Sequence, residues 1–402
     1  MAYSTNTNTR VFYATQGVVV GDFKATSIVD SWQAGDSYLD GDGKLMIAHG
    51  LQSIGVSTNF NLEQIFELGQ LSLYENFEEV PEIEVTFEKV LDGYSLIYHL
   101  GTVDATNPTL TGRSEARADV RMAIGLTADT SIQSGNSGVA ELYCSGMYIN
   151  SVSYNLATDG NFTESTTFVG NDKQWYSGSE NGILVSAKAI ISAFTTSIFG
   201  NDAPVSPDNS VLRRQNVVIG SAGLGMASGT FRTVVPDFIE GTTTGATGVT
   251  DALNGNGLNS NCSYIDDSDA NTVHLNSASI SVDLGRESIN ELGSKAPYSR
   301  YVSFPVDVTC DIEVTAVGGD NIDAAEEAKN LSDHSIQFVL DDSTVLQLGN
   351  KNKLTSVTYG GGDAGGGNAT ISYSMTNSND FVVLHSGDPI SISGTSYFKS
   401  WF

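Results

Sequence analysis

The sequence predicts a mainly β protein of two tandem β-sandwich or barrel domains, each with a short flanking helix. Three observations carry this expectation. Glycine is abundant (42) and proline sparse (8) among 402 residues, and Ser, Thr and Asn fill much of the remainder; β-branched polar residues suit strands, while Gly and Asn suit turns. Apolar and polar residues alternate over several stretches of strand length. Part of the sequence also occurs twice, in a chain long enough to bury two cores.

Offsetting the chain by 224 positions aligns residues 51–90 with 275–314 without a gap, with eleven of the forty positions identical. Leu51, Ser53, Ser57, Glu63 and Ile65 meet Leu275, Ser277, Ser281, Glu287 and Ile289. Glu67-Leu68-Gly69 meets Glu291-Leu292-Gly293, Tyr74 meets Tyr298, Pro81 meets Pro305, and Val90 meets Val314. A second block follows in the same order: SVSYNLATDGNFTES from Ser151 matches SVTYGGGDAGGGNAT from Ser356, now at an offset of 205, which also pairs Tyr154 with Tyr359. The first copy therefore carries 19 more residues between its blocks. The implied organisation is a first domain over 1–175, an insertion and linker over 176–216, and a duplicate second domain over 217–402.

Within each copy, Ile54, Val56 and Thr58 alternate with polar neighbours as a half-buried strand does. Asn61 stands at an N-cap, Leu62, Ile65 and Phe66 fall on one helical face, and Gly69 stops the turn, so a short helix is expected there. In the second copy Gly285 takes the cap, while Arg286 and Asn290 replace Leu62 and Phe66, so that helix is expected to bury less surface. Strands are expected over 83–91, 119–126 and 308–317. A hairpin is expected about the TDGN turn at 158–161, swollen in the second copy to GGGDAGGGN at 360–368. The segment 321–331 reads as the clearest longer helix. Residues 171–216 have no counterpart, and their end reads as an exposed linker.

Charge and motifs exclude more than they identify. Nineteen Lys and Arg against 47 acidic residues give a formal charge of −28, which repels nucleic acid rather than gathering it. Cys144, Cys262 and Cys310 stand far apart, which argues against a disulfide scaffold and suits a reducing cytosol. No signal peptide pattern is visible at the start, and ILVSAKAIISAF is too short for a membrane span, so a soluble, intracellularly assembled product is expected. Five scattered histidines show no ligand spacing, and His99 in SLIYHL reads as a core or interface histidine. Asp40 and Asp42 begin like a calcium loop but Leu51 stands where the closing glutamate belongs. GSAGLG at 220–225 fits no nucleotide-binding pattern, and no GxSxG occurs. The arginines at 113, 117 and 121 read as interfacial or solvated. No catalytic constellation, cofactor site or metal site emerges.

GVSTNFNLEQIFELGQLSLYENFEEVPEIEVTFEKVLDGYSLIYHL, with SGMYINSVSYNLATDGNFTESTTFVGNDKQW, resembles the tube-forming proteins of tailed-bacteriophage tails. The resemblance is clearest over about 51–175 and returns, fainter, over about 275–375. It implies a β-sandwich or barrel domain with a flanking helix, six domains to a ring, and an inner barrel of strands around a DNA channel. Two domains per chain then imply homotrimeric, pseudo-sixfold rings stacked into a tube. DNA would pass without specific binding, and sheath, terminator or baseplate components would be neighbours in the virion tail. Leu68, Gly69, Tyr74, Tyr154, Leu292, Gly293, Tyr298 and Tyr359 are the repeat-signature candidates for packing or inter-subunit contact. The glycine-rich tip of the second copy is expected to serve stacking on the next ring, with 171–216 as a candidate for the other half of that contact. Two further functions compete: a capsid decoration or head–tail connector protein, and a glycan-binding β-domain with Trp32, Trp175 and Trp401 as sugar platforms.

Overall fold

The computed structural model describes residues 16–23, 27–29, 44–69, 71, 73–105, 107–124, 140–177, 211–219, 233–239, 262–264, 274–294, 297–320, 322, 332–342, 344–362 and 366–385. Three strands open it: β1 (Gln16–Asp22), β2 (Ser27–Val29) and β3 (Lys44–Ile47). β4 (Leu51–Asn59) leads to a hairpin of β5 (Leu62–Phe66) and β6 (Leu73–Glu78), and β7 (Glu82–Val90) returns beside β4. Two four-residue helices, α1 (Ile97–Leu100) and α2 (Leu110–Arg113), precede β8 (Ala118–Ile124), β9 (Ala140–Ala157), β10 (Thr163–Gly170) and β11 (Asp172–Ser177). Short strands β12 (Val234–Pro236) and β13 (Cys262–Tyr264) begin the second half, followed by β14 (Leu275–Asp283). A hairpin of β15 (Arg286–Ile289) and β16 (Ser299–Val302) comes next, then β17 (Asp307–Thr315), β18 (Gln337–Val339) and β19 (Val345–Gln347). β20 (Lys353–Gly360), β21 (Thr370–Ser378) and β22 (Val382–Leu384) close the described chain.

The mainly β expectation holds, and every strand expected above is present. β9 is the pivot of a 13-stranded sheet. Its first half pairs with β8 and β11, and its second half with β10 and β14. Gly146, between the two halves, has φ +62, a left-handed conformation that a residue with a Cβ adopts only at a cost. A second, five-stranded sheet runs β13-β12-β18-β19-β22. One hydrophobic core includes buried side chains from both halves of the chain, with Phe87 edge-on to Phe168 at 5.3 Å between ring centroids. His99 is buried as the sequence suggested, with Nε2 3.1 Å from the Val383 carbonyl; burial holds it neutral by pushing its pKa well down.

The helices expected at 62–69 and 286–293 are absent: β5 and β15 occupy these stretches, each in a hairpin. Five residues of i, i+3, i+4 apolar spacing do not distinguish a helix from a strand, and no neighbouring surface covers such a stripe here. Gly69 and Gly293 have φ +92 and +91. Positive φ serves a hairpin turn as well as a helix stop, so the glycine signal was real and its context different. The expected helix over 321–331 lies outside the described residues, Ile322 excepted, as do Trp32, Trp401 and residues 178–210 of the 176–216 segment.

Glu141, at the start of β9, is buried with Arg121 Nη1 at 3.4 Å. Burial pushes its pKa up to about 7, against the opposing pull of Arg121. The fold therefore prefers the protonated carboxyl: the associated stability is intact below pH 4.5 and is lost as pH rises through 7. Glu141→Gln is expected to gain up to about 3 kcal/mol over the parent chain at pH 8 and almost nothing at pH 4.5. Urea unfolding at the two pH values measures this, and an equal effect at both would contradict it.

Candidate assembly interface

Two four-stranded arrangements recur with matching registers. In β4–β7–β10–β9, Ile54 lies opposite Phe87 and Val56 opposite Val85, and the ladder slips between Leu51 and Ser53. In β14–β17–β21–β20, Ala278 lies opposite Ile312 and Ile280 opposite Cys310, and the slip falls between Leu275 and Ser277. Tyr154 faces Glu164 across β9–β10 as Tyr359 faces Ile371 across β20–β21, with a second slip beside Ser151 and beside Ser356. A bulge bends and twists its strand at a fixed point, so the two arrangements bend alike. Their difference of one residue lies between hairpin and following strand, in 79–81 against 303–306. Lys89 thus faces Leu51 as Val314 faces Leu275, and Val90 and Val314 are not counterparts, despite the gapless alignment.

β9 also pairs with β14, placing Tyr154 opposite Ile280 and Ser153 opposite Ser281. This fuses the two arrangements into one antiparallel run, β4-β7-β10-β9-β14-β17-β21-β20. Among the described residues the two end strands, β4 and β20, have a ladder partner on one side only. Their exposure records it. Tyr154 is 1% exposed and its counterpart Tyr359 50%. Ala278, Ile280 and Val282 are buried, whereas Ile54, Val56 and Thr58 are only half-buried. Residue type and phase are alike; what differs is the presence of a neighbouring strand.

The two faces of the run differ in chemistry. One carries alternating apolar side chains into the core. The other shows Ser and Thr together with Glu84, Glu88, Asp283, Asp307, Asp311 and Glu313. Lys353, at the start of β20, is the single basic residue on that face within the eight strands, and it lies 2.6 Å from Asp333.

Strand direction fixes which connections share a rim. β4 and β14 run the same way, so the β5–β6 and β15–β16 hairpins leave the same edge of the sheet. The β9–β10 and β20–β21 turns lie at the opposite edge. Of eighteen exposed large apolar side chains among the described residues, fourteen lie on or beside the hairpins, so exposed hydrophobicity is concentrated at one rim. Leu68 and Leu292 sit at the two tips, 103% and 106% exposed, next to Gly69 and Gly293, and Tyr74 and Tyr298 are exposed nearby. The eight candidates thus divide: six on the hairpins, Tyr154 in the interior junction, and Tyr359 on an end strand. Sequence reasoning missed the acidic face, because its residues are spread over three strands, β7, β14 and β17. It also missed Arg214 and Ile219 at the opposite rim, which carry no motif.

No family model and no curated protein matches the chain. Among solved structures it is similar to the anti-feeding prophage tube-terminating cap, at TM-score 0.29 and 10% identity over 44% of this chain and 96% of that one. It is also similar to the baseplate of the anti-feeding prophage, at TM-score 0.29 and 11% identity over 43% and 99%.

The exposure contrast makes an asymmetric prediction for the unassembled chain. Tyr154→Ala is expected to destabilise it by about 3–5 kcal/mol, as for a buried aromatic, and Tyr359→Ala by within about 0.5 kcal/mol, as at an open surface. Equal losses in urea unfolding would mean that β20 is already covered.

Proposed function

We propose that this chain is a structural subunit of a phage tail or tail-like particle, and that copies of it join edge to edge into a ring. The observation that carries this is the β9–β14 junction. The two strands joined there are the counterparts of β20 and β4, the strands left open at the ends of the run. A second copy can therefore add to the first by the ladder that already joins the two halves, which satisfies both open edges without a new kind of contact. The tube-protein resemblance implies six units to a ring, and the chain, read as an internal duplicate over 1–175 and 217–402, brings two. Three chains then close a ring of pseudo-sixfold symmetry, and full closure leaves no edge.

The core covers one face of the sheet, so the uncovered acidic face lines the ring. Carboxylates and small hydroxyls give a polyanion no cation to pair with, which suits a conduit along which DNA slides without specific binding. Rings stacked through their hairpin rims would form the tube, in the virion tail, beside sheath, terminator or baseplate components. A decoration or connector protein would close the same ring but has no use for an apolar rim repeated around it.

The internal ladder sets the expected register between copies. Transferring Ser153–Ser281 by the two offsets places Thr358 of one chain opposite Ser57 of the next. Directly opposed Cα atoms in an antiparallel pair lie about 4.5–5.5 Å apart, within disulfide reach. The full-length Ser57→Cys/Thr358→Cys protein, oxidised and run without reductant, is expected to give dimer and closed-trimer bands and nothing larger. Ser57→Cys/Ser356→Cys, two residues out of register, should cross-link far less. A ladder extending to six chains, or equal yields from both pairs, would sink the trimeric ring.

A further inference from the structure

We infer that the tip of the β5–β6 hairpin docks into an apolar pocket at the β9–β14 junction of a second copy in the adjacent ring. This rests on the ring assembly proposed above and names the partner surface that stacks one ring on the next. The pocket, about 310 Å³, opens at the rim opposite the hairpins, where β9 ends and β14 begins. Leu156, Phe162, Val217, Ile219, Leu275 and Phe338 supply its apolar wall. Ile219 is one of the four exposed large apolar side chains that lie away from the hairpins. A cavity of about 150 Å³ holds a benzene-sized group, so this one has room for two aliphatic side chains. Leu68 and Leu71 at the hairpin tip are both fully exposed and supply two.

Charge selects this hairpin over its counterpart. Residues 62–78 contain Glu63, Glu67, Glu75 and Glu78 and no Lys or Arg. The pocket carries Arg214 and no carboxylate among its lining residues. The second hairpin, with Arg286, Lys295 and Arg300, matches it less well. Number and direction agree too. This hairpin and this pocket lie at opposite edges of the same sheet, so a ring of three presents the hairpin three times on one rim and the pocket three times on the other. Contact between unlike rims is heterologous and does not close on itself; repeated along an axis it builds a filament.

Chains bearing Leu68→Cys and Ile219→Cys, mixed at concentrations where wild-type polymer sediments and then oxidised, are expected to give a cross-linked dimer that neither gives alone. Leu68→Ser/Leu71→Ser, at fully exposed positions, is expected to lose at least tenfold of its sedimentable polymer while the 57–358 cross-link forms as before. Wild-type tubes from the serine variant, or no mixed cross-link where the 57–358 cross-link forms, would overturn this contact and leave the ring intact. Failure of the 57–358 cross-link itself would overturn the ring, and the stacking contact with it.

Discussion

Each unpaired N–H and C=O along a strand edge has to find a partner, and the arrangement of this chain follows from how it meets that demand. β9 meets it most fully. Its eighteen residues join one group of strands through the first half and two four-stranded arrangements through the second. The core follows from that continuity, because inward side chains on both sides of β9 belong to one hydrophobic cluster. Within the eight-stranded run, the edges left without a partner among the described residues are those of β4 and β20.

The two arrangements share a backbone plan but not an interior. In the first, Lys89 and Glu164 face each other across β7–β10. Both are fully buried, and the lysine is held by Asp92 and the His49 carbonyl. Glu164 accepts the Ile97 and Tyr98 amides at 2.8 Å each and the Tyr154 hydroxyl at 3.1 Å, although burial still raises its pKa. At the corresponding positions the second arrangement has Val314 and Ile371. The difference has a local cause. α1 follows β7 and begins over the sheet, where the Ile97 and Tyr98 amides at its N-terminus need an acceptor. No helix stands in that place after β17 among the described residues, and an apolar pair fills the same space without polar groups to satisfy.

The strand character of the chain was legible in the sequence because it rests on local alternation; the bulges were not anticipated. The serines at 53 and 277, matched in the alignment, flank the slip in each ladder. The hairpins were misread as helices for a reason of length: between Leu62 and Gly69 the apolar spacing fits either period, and only pairing with 73–78 decides. The junction between halves was not legible at all. Nothing in VSYNLA or SISVD says that these strands adjoin, since Tyr154 and Tyr359 look alike in sequence and differ only in what lies beside them. The acidic face was invisible for a related reason, as alternation along three strands far apart in sequence, β7, β14 and β17, brings its carboxylates together.

A monomer with two open edges ordinarily carries devices against pairing: a proline, an inward charge or a lysine on the edge. β4 and β20 carry almost none of these. Their sequences, LQSIGVSTN and KLTSVTYG, contain small hydroxyl residues and β-branched apolar ones, and the one lysine is engaged by Asp333. Carboxylates lie instead on the exposed sheet face and along the β5–β6 hairpin, away from the backbone groups that would pair. Separating the two in this way leaves the ladder free to form while like charges face one another across open solvent. There their repulsion is weakened beyond about 8 Å at physiological salt. On the ring assembly proposed above, the edges are not a liability left unmanaged but the part of the surface kept clear for a second copy of the same chain.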